Sequence, residues 1–284
     1  MNPANPNAIP RACVIGWPIR HSRSPLIHRF WLKKHGLPGD YVLREVEPEG
    51  LAGFISTMAQ EGFVGCNVTV PHKEAVMPLL DRIDATAASI GAVNTIWREG
   101  TDWIGGNTDM IGLLANLDAE APGWDACEIR AVVLGAGGAA RAAVAGLVLR
   151  KAATVTIVNR SLDRAQRLAA AFAGRGTDIR ISSAGQAAAA LGEATLLLNA
   201  TSLGMQSKEP LELDLAPLPA GAVVYDLVYV PLETDLLSQA RARGLVCVDG
   251  LGMLLHQAVP GFAHWFGVTP QVDAALRAHV LASF

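Results

Sequence analysis

The chain has 284 residues, 51% of them hydrophobic and 17% charged, with 28 glycines. With a mean hydropathy of +0.29, this composition excludes a disordered chain and suits one large or two ordinary domains. A formal net charge of -3 and a pI near 6.2 exclude a broadly basic nucleic-acid or membrane-surface binder, so a small-molecule role is expected.

In chain order, the opening "MNPANPNAIPR" has neither a basic n-region nor an apolar h-region, so no signal peptide is expected. Strands are predicted at "ACVIGWPI" near residue 15, "YVLREVE" near 44, "GFVGCNVTVP" near 67 and within "VNTIWREGTDWIGGNTD" at 93–109. Helices are predicted over about 24–36 and 49–61. In "NVTVPHKE", residues 67–74, Asn67 and Thr69 stand two apart and face one side, and Pro71 ends the strand ladder. Taken alone, Lys73 reads there as a solvated residue at a strand tip.

From about 131 the pattern changes to alternating strand and helix. "AVVL" at 131–134 runs into "GAGGAA", followed by an alanine-rich helix over 138–150. "TVTIV" at 154–158 is continuously β-branched, as a strand buried on both faces should be. A helix over 161–173 has Ser161 at the N-cap position. Further strands are predicted at 194–201, 222–229 and 245–250, and the last segment, 251–284, as helical. The stretch 131–149 is apolar and almost long enough to span a bilayer, but Arg141 and the glycines make it a buried strand and helix. The expected architecture is α/β with two domains. An α/β substrate domain covers 1–112 and is completed by 251–284; a doubly wound Rossmann-type domain covers 113–250. The C-terminal helices return to the first domain.

Gly135-Ala136-Gly137-Gly138-Ala139-Ala140 matches the dinucleotide fingerprint between a strand and a helix. Gly135 permits the tight turn and Gly137 the approach of a pyrophosphate, with the helix amides as anion donors. At the end of the second strand the acid that takes a ribose 2′-hydroxyl is replaced by Asn159, with Arg160, Ser161 and Arg164 following. Without that negative charge, and with two arginines, the pattern favours NADP over NAD.

In the first domain, hydrogen-bonding side chains recur at strand tips. They are Ser22 and Ser24, Asn67 and Thr69, Asn94, and Asn107 to Asp109. Hydroxyls and amides of this kind suit a ligand with several hydroxyl groups, although each could separately be a turn or cap residue. Cys13, Cys66, Cys127 and Cys247 are scattered, without CxxC or histidine at ligand spacing. They read as small buried residues of a chain in a reducing cytoplasm, and neither disulfide nor zinc is expected.

Taken together and in this order, "GWPIRHSRSP", "NVTVPHKE", "GAVNT", "GGNTD", "GAGGAA", "NRS", "NATSLGM" and "DGLGMLLHQA" closely resemble the shikimate dehydrogenase family, over about 13–280. The resemblance implies a two-domain enzyme that reversibly reduces 3-dehydroshikimate to shikimate with NADPH, in aromatic amino-acid and chorismate biosynthesis. It implies Lys73 and Asp109 as the catalytic pair. It implies Ser22, Ser24, Asn67, Thr69, Asn94, Tyr229 and Gln257 as substrate contacts. The loop from Gly135 to Ala139, the segment from Asn159 to Arg164, Leu227 and Gly250 would contact the cofactor. The segment from Asn199 to Met205, including Thr201, would border the nicotinamide. Gly106 stands where a larger side chain is common in the family, and Ser161 where threonine is common.

With that implied role, Lys73 is no longer a surface lysine: an ammonium can stabilise a developing alkoxide and then protonate it. His72 is expected to be a structural or solvent-facing neighbour. Three rival readings are a quinate/shikimate dehydrogenase using NAD, a related two-domain amino-acid-dehydrogenase-like enzyme, and a non-catalytic NADP sensor. The serine pair and the arginines weigh against the first, "NVTVPHK" against the second, and the presence of Lys73 and Asp109 against the third. The partners expected are a small-molecule substrate, no nucleic acid and no membrane, with a homodimer as the candidate assembly.

Overall fold

A computed structural model describes residues 9–284. Most of the N-terminal segment on which the signal-peptide expectation rests lies outside the described residues. The chain divides into two units: the first runs to Thr108 and resumes at Gln257–Phe284, and the second is Asp109–His256.

The first unit contains β1 (Arg11–Gly16), α1 (Ser24–His35), β2 (Asp40–Glu45), α2 (Leu51–Thr57), β3 (Phe63–Val68), β4 (Arg82–Ile83), α3 (Ala85–Ile90), β5 (Thr95–Glu99) and β6 (Asp102–Gly106). Its six-stranded sheet has the order β2-β1-β3-β5-β6-β4. β1, β2 and β3 are parallel, whereas β5 runs antiparallel to both β3 and β6. The predicted strand through Val70 stops earlier, at Val68, because the chain turns there. The ladder nonetheless continues in two bonds, Thr69 N–H to Ile15 O (3.0 Å) and Trp17 N–H to Val70 O (3.1 Å).

The second unit contains α4 (Asp109–Glu120), β7 (Arg130–Leu134), α5 (Gly138–Leu149), β8 (Thr154–Val158), α6 (Leu162–Ala171), β9 (Asp178–Ser182), α7 (Ala187–Leu191), β10 (Leu196–Asn199), β11 (Val223–Asp226), α8 (Asp235–Ala242) and β12 (Val246–Val248). Its strands are all parallel, in the order β12-β11-β10-β7-β8-β9. The first and fourth strands of this unit, β7 and β10, are therefore neighbours, and the winding reverses between them. That is the doubly wound arrangement, with its switch point between those two strands. The chain ends in α9 (Leu251–Phe266) and α10 (Ala274–Leu281). The apolar stretch 131–149 resolves into β7 and α5, and among the described residues no helix is long and apolar enough to cross a membrane.

The reading of the sequence left β4, α3, α4, β9, α7 and α8 unassigned. β9 is an edge strand, "DIRIS", of which only part is buried, so it lacks the apolar run of its neighbours. Cys127 also departs from expectation: it is exposed, whereas Cys13 and Cys66 are buried.

The two faces of the first sheet are packed differently. Cys13, Ile15, Cys66 and Val68 join Leu51, Phe54 and Ile55 of α2 in an aliphatic core. On the opposite face, small residues admit aromatic ones. Gly65 has no side chain, and a Cβ there would collide with Trp265 Nε1 and Ile96 O. Trp265 donates to that same Ile96 carbonyl at 2.9 Å. His28 stacks on Tyr41 with ring centroids 4.0 Å apart and also packs against Phe262 and Trp265.

His28 is fully buried, and neither ring nitrogen has a hydrogen-bond partner among the described residues. Desolvation lowers its pKa to about 3, outweighing an opposing pull from Asn67. The unfolded chain therefore takes up a proton near pH 6.5 that the folded chain refuses. Stability present above that pH is lost as the pH falls toward 3. Between pH 6.5 and 5 this group alone should remove about 2 kcal/mol. Urea unfolding at the two pH values, compared between wild type and His28→Leu, should show a shallower acid-side loss in the variant; equal slopes would show that His28 is not the group responsible.

Candidate active site

In the first unit, six of the expected substrate and catalytic residues come together around the ends of β1, β3 and β5. Asn94 precedes β5 and is buried. Its side-chain oxygen accepts from Thr108 N–H (2.8 Å) and Thr95 Oγ1 (2.9 Å), and its amide donates to Thr108 Oγ1 (3.1 Å). Asn67, at the end of β3, donates to Asn94 O (3.2 Å) and Thr95 Oγ1 (3.1 Å). The Asn67 oxygen accepts from the Tyr41 hydroxyl at 2.6 Å. Thr69 is half-buried just beyond β3, and Gly16 is its neighbour: a Cβ on Gly16 would lie 2.7 Å from Thr69 Cγ2.

Ser22 and Ser24 lie between β1 and the first turn of α1. Ser22 Oγ donates to Ser24 Oγ (3.3 Å) and accepts from Ser24 N–H (3.4 Å), which holds the two hydroxyls side by side. Lys73 is half-buried in the turn after Pro71, and its carbonyl accepts from Val93 N–H at 2.8 Å. That bond places the lysine turn beside the segment carrying Asn94. His72 is structural: it is buried and its Nε2 lies 2.7 Å from Val46 O. Gln257 is buried on α9. Asn107 is clamped to Ala92 O at 2.9 Å. Gly106, the departure noted above, is tightly packed: a Cβ there would lie 2.6 Å from the Trp97 ring and 2.7 Å from Asp84 Oδ2.

In the second unit the expected cofactor residues collect at the carboxyl ends of the parallel strands. Gly135 follows β7 with φ +106°, a conformation that glycine adopts without strain, and a Cβ there would lie 3.1 Å from Ala200 O. Gly137 stands at the N-cap of α5 with no side-chain cap. A Cβ at Gly137 or Gly138 would meet no protein atom within 4 Å, so the first amides of α5 are open to an anionic group. Ala136 and Ala139 are half-buried in the same loop.

Asn159 follows β8 and donates to Ser161 O (2.8 Å). Ser161 takes the N-cap position of α6, but its hydroxyl does not cap the helix. Arg160 and Arg164 are exposed and form no ion pair with the described residues. Thr201 is bound to Asn199 Oδ1 through both its N–H (3.0 Å) and its hydroxyl (2.7 Å). Leu227 donates to Asn199 O at 3.0 Å. Gly250 packs directly on Leu227, whose carbonyl a Cβ would strike. Tyr229 is half-buried just beyond these residues, and Asp109 is buried at the start of α4.

Two buried polar residues that the motifs did not include are Tyr41 in the first unit and Asp226 in the second. Asp226, at the end of β11, accepts from Asn199 Nδ2 (2.9 Å), Val228 N–H (3.0 Å) and Thr234 Oγ1 (2.7 Å). Burial pushes its carboxyl above the ordinary value, and these three donors pull it back. A single acid ending an otherwise apolar strand, "VVYD", is the signal that could have found it.

A doubly wound sheet with an uncapped glycine turn at its switch point, together with a separate unit carrying buried amides and a lysine turn, defines a Rossmann-type dinucleotide-binding protein with its own substrate unit. Family profiles match the shikimate dehydrogenase substrate-binding domain over residues 14–96, shikimate/quinate 5-dehydrogenase over 119–210 and the shikimate 5′-dehydrogenase C-terminal domain over 250–278. The chain belongs to the shikimate dehydrogenase family.

It is 52% identical over 272 residues to the shikimate dehydrogenase (NADP(+)) of Azorhizobium caulinodans, covering 96% of each chain. Among solved structures, the Thermus thermophilus enzyme in complex with NADP(H) and shikimate is 34% identical, with a TM-score of 0.86 over 96% of this chain and 99% of that one. Quinate dehydrogenase from Corynebacterium glutamicum in complex with NAD is 30% identical, with a TM-score of 0.88 over 96% of this chain and 98% of that one.

Replacing Asp226 by alanine would strip three buried donors of their acceptor. Asp226→Ala is expected to lose about 3 kcal/mol of stability in urea unfolding. A loss below about 1 kcal/mol would mean that the Asn199 and Thr234 bonds are readily replaced by water.

Proposed function

We infer that this chain catalyses the reversible NADPH-dependent reduction of 3-dehydroshikimate to shikimate, a step of chorismate and aromatic amino-acid biosynthesis. The observation that carries this reading is the buried carboxamide and hydroxyl cluster of Asn67, Asn94, Thr95 and Thr108. It sits beside the Lys73 turn in a chain 52% identical to a curated NADP-dependent shikimate dehydrogenase. A rigid polar cluster of this kind favours a polyhydroxylated ligand over an apolar one.

Ser22 and Ser24 would bind the substrate carboxylate, and Asn67, Thr69, Asn94, Tyr229 and Gln257 its hydroxyls. Lys73 would stabilise the negative charge that develops on the carbonyl oxygen and deliver the proton; in the reverse direction it would accept that proton. Asp109 would orient the lysine. When bound, NADPH supplies the hydride. The open amides at the start of α5 fit its pyrophosphate, and Gly135 to Ala139, Thr201, Leu227 and Gly250 would line its path. Arg160 and Arg164, with Asn159 and Ser161, would receive the 2′-phosphate. A cytoplasmic setting belongs to the same reading, supported by four scattered thiols.

The similarity to a quinate dehydrogenase bound to NAD favours a second reading, in which quinate and NAD are also used. Initial rates of nicotinamide reduction, with NADP and NAD crossed against shikimate and quinate, decide between the two. Reduction of NADP by shikimate alone is expected, and comparable rates with quinate and NAD would favour the second reading. Silence in all four combinations from a folded protein would overturn this reading and reopen that of a non-catalytic NADP sensor. In the same assay Lys73→Ala should lower kcat by about 10²–10³-fold while shikimate still binds, and near-normal turnover would remove Lys73 from the chemistry. Arg160→Ala should raise the KM for NADP about tenfold and leave that for NAD nearly unchanged. Equal effects on both cofactors would mean that Arg160 does not read the 2′-phosphate.

A further inference from the structure

Tyr41 lies outside every motif that marks the site. It is on β2, the edge strand, yet its side chain is fully buried. Its register partner on β1 is Ala12, whose small methyl leaves the tyrosine room to cross that strand toward β3. There its hydroxyl donates to Asn67 Oδ1 at 2.6 Å. Both amide hydrogens of Asn67 are already engaged, one by the Asn94 carbonyl, which can only accept, and the other by Thr95 Oγ1. The carboxamide therefore has one orientation, with its oxygen toward Tyr41 and accepting no second hydrogen bond among the described residues.

The phenol itself is held within the aromatic layer of the first unit. Its ring is held by His28, stacked at 4.0 Å, and by Trp265 at 5.8 Å. Burial pushes the phenol's pKa well up, so that it stays a proton donor.

We propose that Tyr41 is a positioning residue for the substrate. It fixes the Asn67 carboxamide so that the remaining lone pair of its oxygen accepts one substrate hydroxyl. This rests on the assignment of Asn67 to substrate binding. Loss of the phenol hydroxyl then weakens capture of substrate and leaves the chemical step largely intact.

The test is Tyr41→Phe in the full chain, which keeps the ring and its stacking, assayed by NADP reduction at varied shikimate. The KM for shikimate should rise about tenfold, with kcat within about twofold and the KM for NADP unchanged. The rise in melting temperature on adding shikimate should shrink accordingly. Phe262→Leu perturbs the same aromatic layer without a polar link; it should lower the unliganded melting temperature but leave the shikimate KM near that of wild type.

An unchanged KM in Tyr41→Phe overturns the proposal, as does an equal rise in Phe262→Leu. A Tyr41→Phe chain that does not fold overturns it too, by giving the hydroxyl a purely structural role. A wild-type protein inactive on shikimate removes the functional reading and this proposal with it. An active wild type with an indifferent Tyr41→Phe removes the proposal alone.

Discussion

Asn94 is the constraint on which the substrate unit depends. A buried carboxamide and its peptide group must find partners for every polar atom, since each unpaired one costs about 1–3 kcal/mol. Asn94 is 3% exposed, and its bonds reach three strands. Its N–H goes to Gly106 O, its carbonyl accepts from Val68 N–H and Asn67, and its side chain closes on Thr95 and Thr108. These bonds draw the ends of β3, β5 and β6 to one point. Lys73 follows, because Val93, the preceding residue, donates to the Lys73 carbonyl. The turn, the amides and the Asn107–Thr108 segment are thus held by one set of hydrogen bonds, which fixes these polar groups in place.

The nucleotide unit solves the same problem with a different pair. Asn199 and Asp226 end neighbouring parallel strands, and their side chains bond to each other and to the loops that follow. The helix start beyond β7 is treated in the opposite way. Gly137 offers α5 no side-chain cap. Paired polar groups where strands end and uncapped donors where the helix begins are complementary uses of one rule.

Much of this was legible in the linear chain. The strand 154–158 is recovered residue for residue as β8, because a β-branched run buried on both faces has no competing helical pattern. The glycine turn was legible because its spacing reflects a steric demand that few other residues meet. β9 was missed because an edge strand needs no apolar run. Tyr41 and Asp226 were missed because a buried polar residue carries no periodicity, and the strand-crossing partners, Asn67 and Asn199, are distant in the chain. Tyr41 and Asn67 are 26 residues apart.

By itself, the sequence determined the class of fold, the dinucleotide turn, the leaning toward NADP and the family, since each rests on local patterns or on ordered motifs. Only the tertiary structure decided how the polar side chains are spent. It showed that Asn67 has both amide hydrogens committed, that Gly65 is needed because Trp265 occupies its face, that His28 is buried and His72 bonded inside, and that Ser161 leaves α6 uncapped. The physical reason is that a hydrogen bond or a steric exclusion belongs to a pair of groups, and the pairing across strands exists only once the sheet has brought them together.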